Sequence, residues 1–242
     1  MSEEKLILIL ANSVRDKKHC VAGKVATALE NGKFNISQQW IRLTDPRDAD
    51  GAVQPATTLL KGLRGVRPLD IIKVVLQDPC NDPNHPEDWF FDPAQKWELV
   101  ASVGYDALPL IADNPPTIWH DGIEERAVPA GYVPQMGVQA ATLYLVKAPP
   151  DWAFSYWKEW NQWENRNDTK RKLTFTYANR HQQFSVTDRA FTNRYKIFDR
   201  ATEMTQYLES PNPKAYFCLS LTKLTPKYNT KHYKICATVF EP

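Results

Sequence analysis

Leu6 to Gly23 reads LILILANSVRDKKHCVAG, and Gln39 to Leu43 reads QWIRL. Five consecutive apolar residues, Leu6 to Leu10, predict a strand buried on both faces. They run into Ala11-Asn12-Ser13, then into Arg15, Lys17, Lys18 and His19, then into the small residues Cys20-Val21-Ala22-Gly23. A buried strand thus delivers polar and basic groups to one edge. QWIRLT, residues 39–44, alternates as a strand does, which puts Trp40 and Arg42 on one face. The two stretches outline a binding edge and hold no complete catalytic motif.

Outward from there, the pattern is that of a β-rich chain. Eighteen prolines against nine glycines leave little room for long helices. Ala22 to Glu30 fits a short helix or a second strand turning at Asn31-Gly32, and both readings stay open. A long connection follows over residues 45–68, with a helical turn at Thr57 to Gly62. Ile71 to Leu76, IIKVVL, is the second strongly apolar strand, stopped by Asp78-Pro79. The loop CNDPNHPEDWFFDP comes next, then a short helix within residues 96–112. Ala141 to Lys147 is a third clear strand, closed by Pro149-Pro150. Six aromatics crowd into residues 152–163: Tyr156, Trp157, Trp160 and Trp163 fit a helical face, whereas Trp152, Phe154 and Tyr156 alternate as a strand. Lys172 to Tyr177, Gln183 to Thr187, Ala215 to Leu221 and His232 to Val239 read as successive strands, with a helix-like segment at Thr202 to Leu208. No internal repeat of fixed spacing is visible.

A hydrophobic fraction of 43% and an aromatic fraction of 12% exclude a disordered chain. No run of eighteen apolar residues marks a membrane span. Glu3 and Glu4 stand where a secretory signal carries basic residues, so the expected location is the cytoplasm. Cys20, Cys80, Cys218 and Cys236 form no CxxC pair and are expected to be small buried hydrophobes. Net charge is +2, unevenly spread: residues 151–242 carry 15 Lys+Arg against 9 Asp+Glu, so the excess of positive charge lies in the second part. That asymmetry suits an anionic partner there.

LANS with its basic stretch and CVAG, then WIRL, PLDIIKVVL and HPEDW, and later FTYANRHQQFSVTD, YFCLSLT and HYKICATVFE resemble, in this order, the dual OB-containing domain family. The resemblance covers nearly the whole chain. It implies a mainly β fold of two tandem OB-like β-barrels with short helices and long proline-rich loops. The first would span residues 1–140 with inserted loops and the second 141–242, with the boundary within 112–150. It also implies binding of nucleic acid or a nucleotide, no established enzymatic activity, and a place in prokaryotic conflict or defence loci. The stretch between Gly23 and Gln39 and the tryptophan-rich segment depart from the family pattern.

An OB surface binds single strands by setting aromatic platforms for bases beside cations for phosphates. Candidates in the first half are Asn12, Ser13, Arg15, Lys17, Lys18, His19, Trp40 and Arg42. Asn12 and Ser13 can meet a base edge or a phosphate, or hydrogen-bond the turn they sit in. Arg42 beside Trp40 can clamp a base or form a structural ion pair. In the second half Lys170, Arg171 and Lys172 adjoin the tryptophans, which compete as core residues. His85, Glu87 and Trp89 are secondary candidates. Packing of their loop is preferred to a metal site, because no second histidine pairs with His85 in the sequence. Asp188, also secondary, is expected to cap a turn.

The leading expectation is a non-enzymatic, cytoplasmic module that binds single-stranded DNA or RNA. It would be an accessory or sensor of a prokaryotic defence system, with no metal or cofactor and a protein partner from the same locus. The rivals are a nucleotide sensor with a pocket between the barrels and a protein-interaction scaffold. An enzyme ranks last, because no GxSxG elbow or comparable context supports one. The nearest alternative fold is α/β, weakened by the lack of a glycine-rich loop after the first strand.

Overall fold

The computed structural model describes residues 2–15, 17–61, 64–162, 165–194, 212–224 and 230–242. Gly62, Trp163, the segment Thr202 to Leu208 and the Arg15 side chain lie outside the described residues.

The apolar run opens β1 (Glu3–Arg15), followed by β2 (Lys18–Ala28), β3 (Phe34–Thr44), β4 (Asp70–Pro79), β5 (Asp88–Phe91) and β6 (Glu98–Ser102). The pairing order is β1-β2-β3-β5-β4, and β1 also pairs with β4, so five strands close on themselves while β6 extends the sheet beyond β4. The β3–β5 pairing is parallel and the rest of this barrel is antiparallel. This is the closed five-stranded Greek-key barrel of an OB fold.

Alternation along β1 explains why the strand is apolar on both sides. Ile7 and Ile9 point into the barrel with Val21, Ile41, Leu43, Ile72, Val74 and Phe91. Leu8 and Leu10 point outward, yet they are fully buried against Leu143, Leu145, Tyr216, Cys218 and Phe240 of the second half. Each such leucine contributes roughly 1.5–3 kcal/mol by leaving water. At Gly23 the β1 and β2 backbones come so close that a Cβ would lie 2.0 Å from the Leu8 carbonyl oxygen, beside the β-bulge between Ile9 and Ala11.

The second half holds β7 (Ala127–Pro129), β8 (Leu143–Lys147), β9 (Ala153–Asn161), β10 (Arg166–Tyr177), β11 (Arg180–Val186), β12 (Tyr216–Leu221) and β13 (Lys231–Phe240). Its order is β8-β12-β13-β11-β10-β9, with β7 beside β13. Read from β9, the path β9-β10-β11-β13-β12 repeats the first-to-fifth strand order of the first barrel, and β11–β13 repeats its parallel pairing. A sixth strand again extends the fourth, here β8 on β12. Among the described residues β9 and β12 form no closing ladder, so this sheet is an open version of the same fold. Its core gathers Trp119, Trp152, Phe154, Phe175, Phe184, Phe191 and Phe217.

Between the sheets, α1 (Leu108–Ile111) and α2 (Tyr132–Gln135) are single turns, and α3 (Arg189–Arg194) follows β11. Among the described residues no helix is long and apolar enough to cross a membrane.

The open readings resolve as strands. Ala22 to Glu30 lies mostly in β2, with the turn at Gly32 (φ 75°). The departure between Gly23 and Gln39 is therefore the β2–β3 hairpin. Tyr156 and Trp157 sit in β9, with Trp152, Phe154 and Tyr156 buried on the inner side. β5 and β6 are additional strands, in stretches expected to be a loop and a helix.

Candidate nucleic-acid interface

In an OB fold the outer face of the second and third strands, with the loops at its ends, is where oligonucleotides lie. On the first barrel that face belongs to β2 and β3 and carries Lys24, Gln38, Trp40 and Arg42. The second sheet covers it. Lys24, fully buried, donates from Nζ to Oδ1 of Asp113 (2.6 Å), to the Ile111 carbonyl (2.6 Å) and to Gln38 Oε1. Burial pulls its pKa down, against the Asp113 charge that raises it. Trp40 Nε1 donates to Asp113 Oδ2 (3.0 Å), which also accepts the Leu145 backbone N–H (2.7 Å). One carboxylate thus ties the first barrel's β2–β3 face to β8.

Arg42 is 3% exposed. Its guanidinium donates to Asp88 Oδ1 (3.0 Å), His85 Nδ1 (2.5 Å), Thr142 Oγ1 (3.0 Å) and Ser220 Oγ (3.1 Å). Trp40 and Arg42 share a face, as alternation requires, but they pin the two sheets together because the second half's apolar strands cover them. Glu87 accepts the Thr142 N–H (2.6 Å) and hydroxyl (2.9 Å) in the same seam. His85 is 1% exposed, and burial, followed by the charges of Arg42, Lys223 and His232, holds its pKa well below the ordinary value. The His85 and His232 rings meet edge to face at 5.5 Å. His85 therefore has a histidine neighbour, from the far end of the chain. Among the described residues no three His, Cys, Asp or Glu side chains group as metal ligands. Trp89 packs partly buried against the first barrel's core.

The β1–β2 turn holds the next candidates. Asn12 donates to the Val66 carbonyl (2.8 Å) and contacts His19 Nδ1 through Oδ1 (2.6 Å), Ser13 is 5% exposed, and Lys18 pairs with Asp48. Burial, then Arg189, lowers the His19 pKa. Lys17 sits exposed at the turn with φ 66°. Asp188 caps α3, accepting the Phe191 N–H through Oδ1 (2.9 Å) and the Val239 N–H through Oδ2 (3.0 Å).

On the second sheet the corresponding face is formed by β10 and β11. Leu173, Phe175, Gln182 and Phe184 point inward, so Lys170, Lys172, Thr174, Gln183 and Ser185 point outward and are half-buried or exposed. Register places Trp157 of β9 opposite Lys170 and carries the same face across to Tyr233 and Ile235 of β13. Alternation divides the basic run: Arg171 falls on the inner side over Tyr156 (5.7 Å to the ring centre), leaving Lys170 and Lys172 as the outward cations. Lys172 Nζ lies 5.1 Å from the Trp157 ring centre and donates to Gln183 Oε1 (2.9 Å). Burial, then the charge of Arg126 and that of Lys170, lowers its pKa, against Glu159 and Glu125, which raise it. Lys170 is balanced by Asp168 (3.5 Å) and Glu159 (3.8 Å) in exposed pairs, which are worth little. Trp157, Gln183 and Tyr233 share this face, and Arg126, paired with Glu124 at 2.7 Å, lies within electrostatic reach of Lys172; none of the four is among the candidates read from the sequence. The alternation of RKLTFTY against HQQFSV carried the signal for Gln183, but only the fold brings Arg126 and Tyr233 beside it.

Two OB-type sheets in tandem, the outer β2–β3 face of the first closed by the second and the equivalent face of the second exposed, define a double-OB protein with one open face. The chain belongs to the dual OB-containing domain family, whose model matches residues 5–239. No curated protein matches it. Among solved structures it is similar to a replication protein A heterotrimer bound to ssDNA, at 9% identity and a TM-score of 0.31, over 92% of this chain and 44% of that one. It is also similar to a deletion mutant of the single-stranded DNA binding protein from Thermus aquaticus, at 9% identity and a TM-score of 0.20, over 100% and 93%. The chain thus spans under half the length of the first of these. The strand order and the family match carry the assignment.

Proposed function

We propose that this protein binds single-stranded nucleic acid, without turning it over, on the outer face of β9, β10 and β11. The observation that carries this reading is the pairing of Lys172 with the Trp157 ring on the open face, with Lys170 and Arg126 nearby. A ring offers a stacking platform to any base, and Lys172, with no carboxylate at ion-pair distance among the described residues, gains from an arriving phosphate. The first sheet, with residues up to about 112, serves as the support whose own front face is used to hold the second. Within this reading, an accessory or sensor role in a prokaryotic defence system and a cytoplasmic location rest on the resemblance and on the sequence alone.

The rival reading of a nucleotide pocket between the sheets is less well supported. The cleft there, about 320 Å³, is lined by Asp48, Asp50, Asp82 and Asp88 against Lys223. Lys18, Arg42 and Lys223 are taken up by Asp48 and Asp88, and, among the described residues, Asp50 and Asp82 leave the lining with no cation free for a phosphate.

Anisotropy of a labelled single strand tests the proposal. Affinity should fall steeply between about 50 and about 200 mM salt, and Trp157→Ala should cost about 1–3 kcal/mol. No binding to any DNA or RNA strand at low salt overturns it.

A further inference from the structure

Both sheets carry a lysine–glutamine hydrogen bond between their second and third strands, beside a tryptophan ring. On the first, Lys24 of the second strand pairs in register with Trp40 of the third, donates to Gln38 two residues earlier, and lies 5.3 Å from the Trp40 ring centre. On the second, Lys172 of the second strand pairs in register with Ser185 of the third, donates to Gln183 two residues earlier, and lies 5.1 Å from a tryptophan ring, here Trp157 of the first strand. The lysine–glutamine pair thus recurs between the same two strands, across a register shift in the first sheet and along a regular ladder in the second, and the indole is supplied from the opposite neighbour.

The two copies differ in what the ammonium faces. Lys24 holds the Asp113 carboxylate at 2.6 Å, whose second oxygen takes the Trp40 N–H at 3.0 Å. Among the described residues no carboxylate lies within ion-pair distance of Lys172; Arg126 and Lys170 oppose its charge, and Glu159 and Glu125, beyond that distance, favour it. The first is therefore an anion seat occupied by the chain's own carboxylate, and the second brings a similar ammonium, amide oxygen and ring together on the open face.

Resting on the single-strand reading above, we infer that Lys172, positioned by Gln183 beside Trp157, is the seat for one phosphate of the bound strand, taking it as Lys24 takes Asp113. The lysine supplies the charge, the glutamine oxygen fixes the direction of the ammonium, and the ring leaves room for the attached base to stack. The ligand chemistry is an oxyanion, shared by a backbone phosphate and by free inorganic phosphate.

The test uses both sources on the full chain. With inorganic phosphate as probe, the side-chain amide signals of Gln183 in a nitrogen-15 correlation spectrum should shift saturably, and chloride at matched ionic strength should leave them in place. Lys172→Gln should abolish that shift and Lys172→Arg should restore it. With a labelled single strand, Lys172→Gln should weaken binding several-fold and lower the salt slope by about 0.7, the share of one contact. Lys61→Gln, exposed on the first barrel, should change neither. Strand binding that persists unchanged in Lys172→Gln, with no Gln183 response to phosphate, overturns this seat and leaves the single-strand proposal standing. A Gln183 response without any strand binding does the reverse.

Discussion

Arg42 on β3 donates through Nη1 to His85 Nδ1 at 2.5 Å, so His85 is the neutral tautomer with its proton on Nε2. Protonating Nδ1 would set two donors against each other beside a guanidinium in a dry seam. His85 and His232 both have pKa values below the ordinary 6.5, largely through burial. The unfolded chain therefore takes up protons at a higher pH than the folded one. Stability should hold above about pH 6.5 and decline as pH falls below it, by up to about 1.4 kcal/mol per pH unit for each histidine. Urea melts from pH 8 to pH 5 check this. His85→Gln should remove about one proton from the slope.

Removing Arg42 should cost more than removing a surface charge. Asp88 is buried and its Oδ1 depends on Arg42, while Oδ2 pairs with Lys223 at 2.5 Å. Arg42→Ala leaves a carboxylate half-compensated in the seam, and the expected loss is about 3–5 kcal/mol. Chemical denaturation measures it, and a loss below about 1 kcal/mol would contradict this role.

Gly23→Ala should be as damaging as a core mutation although it adds one methyl. The new Cβ would meet the Leu8 carbonyl, which is backbone and cannot rotate away. The β1–β2 ladder must part, at a cost of about 3 kcal/mol, seen as a lower denaturation midpoint.

Lys234 is 1% exposed inside the second sheet, with Gln182 Oε1 as hydrogen-bond partner at 2.9 Å, and burial lowers its pKa to about 8. Because the unfolded value is about 10.5, the unfolded state holds more protons between the two, and stability should rise with pH from 8 to 10.5, by about 3 kcal/mol. Lys234→Met should flatten that rise in thermal melts taken across the window.

Much of the fold is written in local pattern. LILIL, IIKVVL, RKLTFTY and YFCLSLT mark their strands because period-two burial needs no knowledge of partners. The short β5 and β6 escape such reading, since their proline- and acid-rich setting dominates the local composition. The site is less legible. Trp40 and Arg42 have the composition of a ligand clamp, and nothing near them in sequence says that Leu143, Leu145 and Tyr216, a hundred or more residues later, cover them. Lys172 was legible as a cation beside aromatics. Its likeness to Lys24 was not, because the matching tryptophan comes from the first strand in one copy and from the third in the other, so no repeat of fixed spacing exists.

Ultraviolet crosslinking of a thymine-rich strand to the full chain, with the modified peptides identified by mass spectrometry, distinguishes a strand lying on the β9–β10–β11 face of the second sheet from one on β2–β3 of the first. Crosslinks on Trp157 and Tyr233, lost in Trp157→Ala and Tyr233→Ala respectively, are the predicted result. Crosslinks concentrated on the first barrel, at the β1–β2 turn around Lys17 or on Trp40, would contradict it.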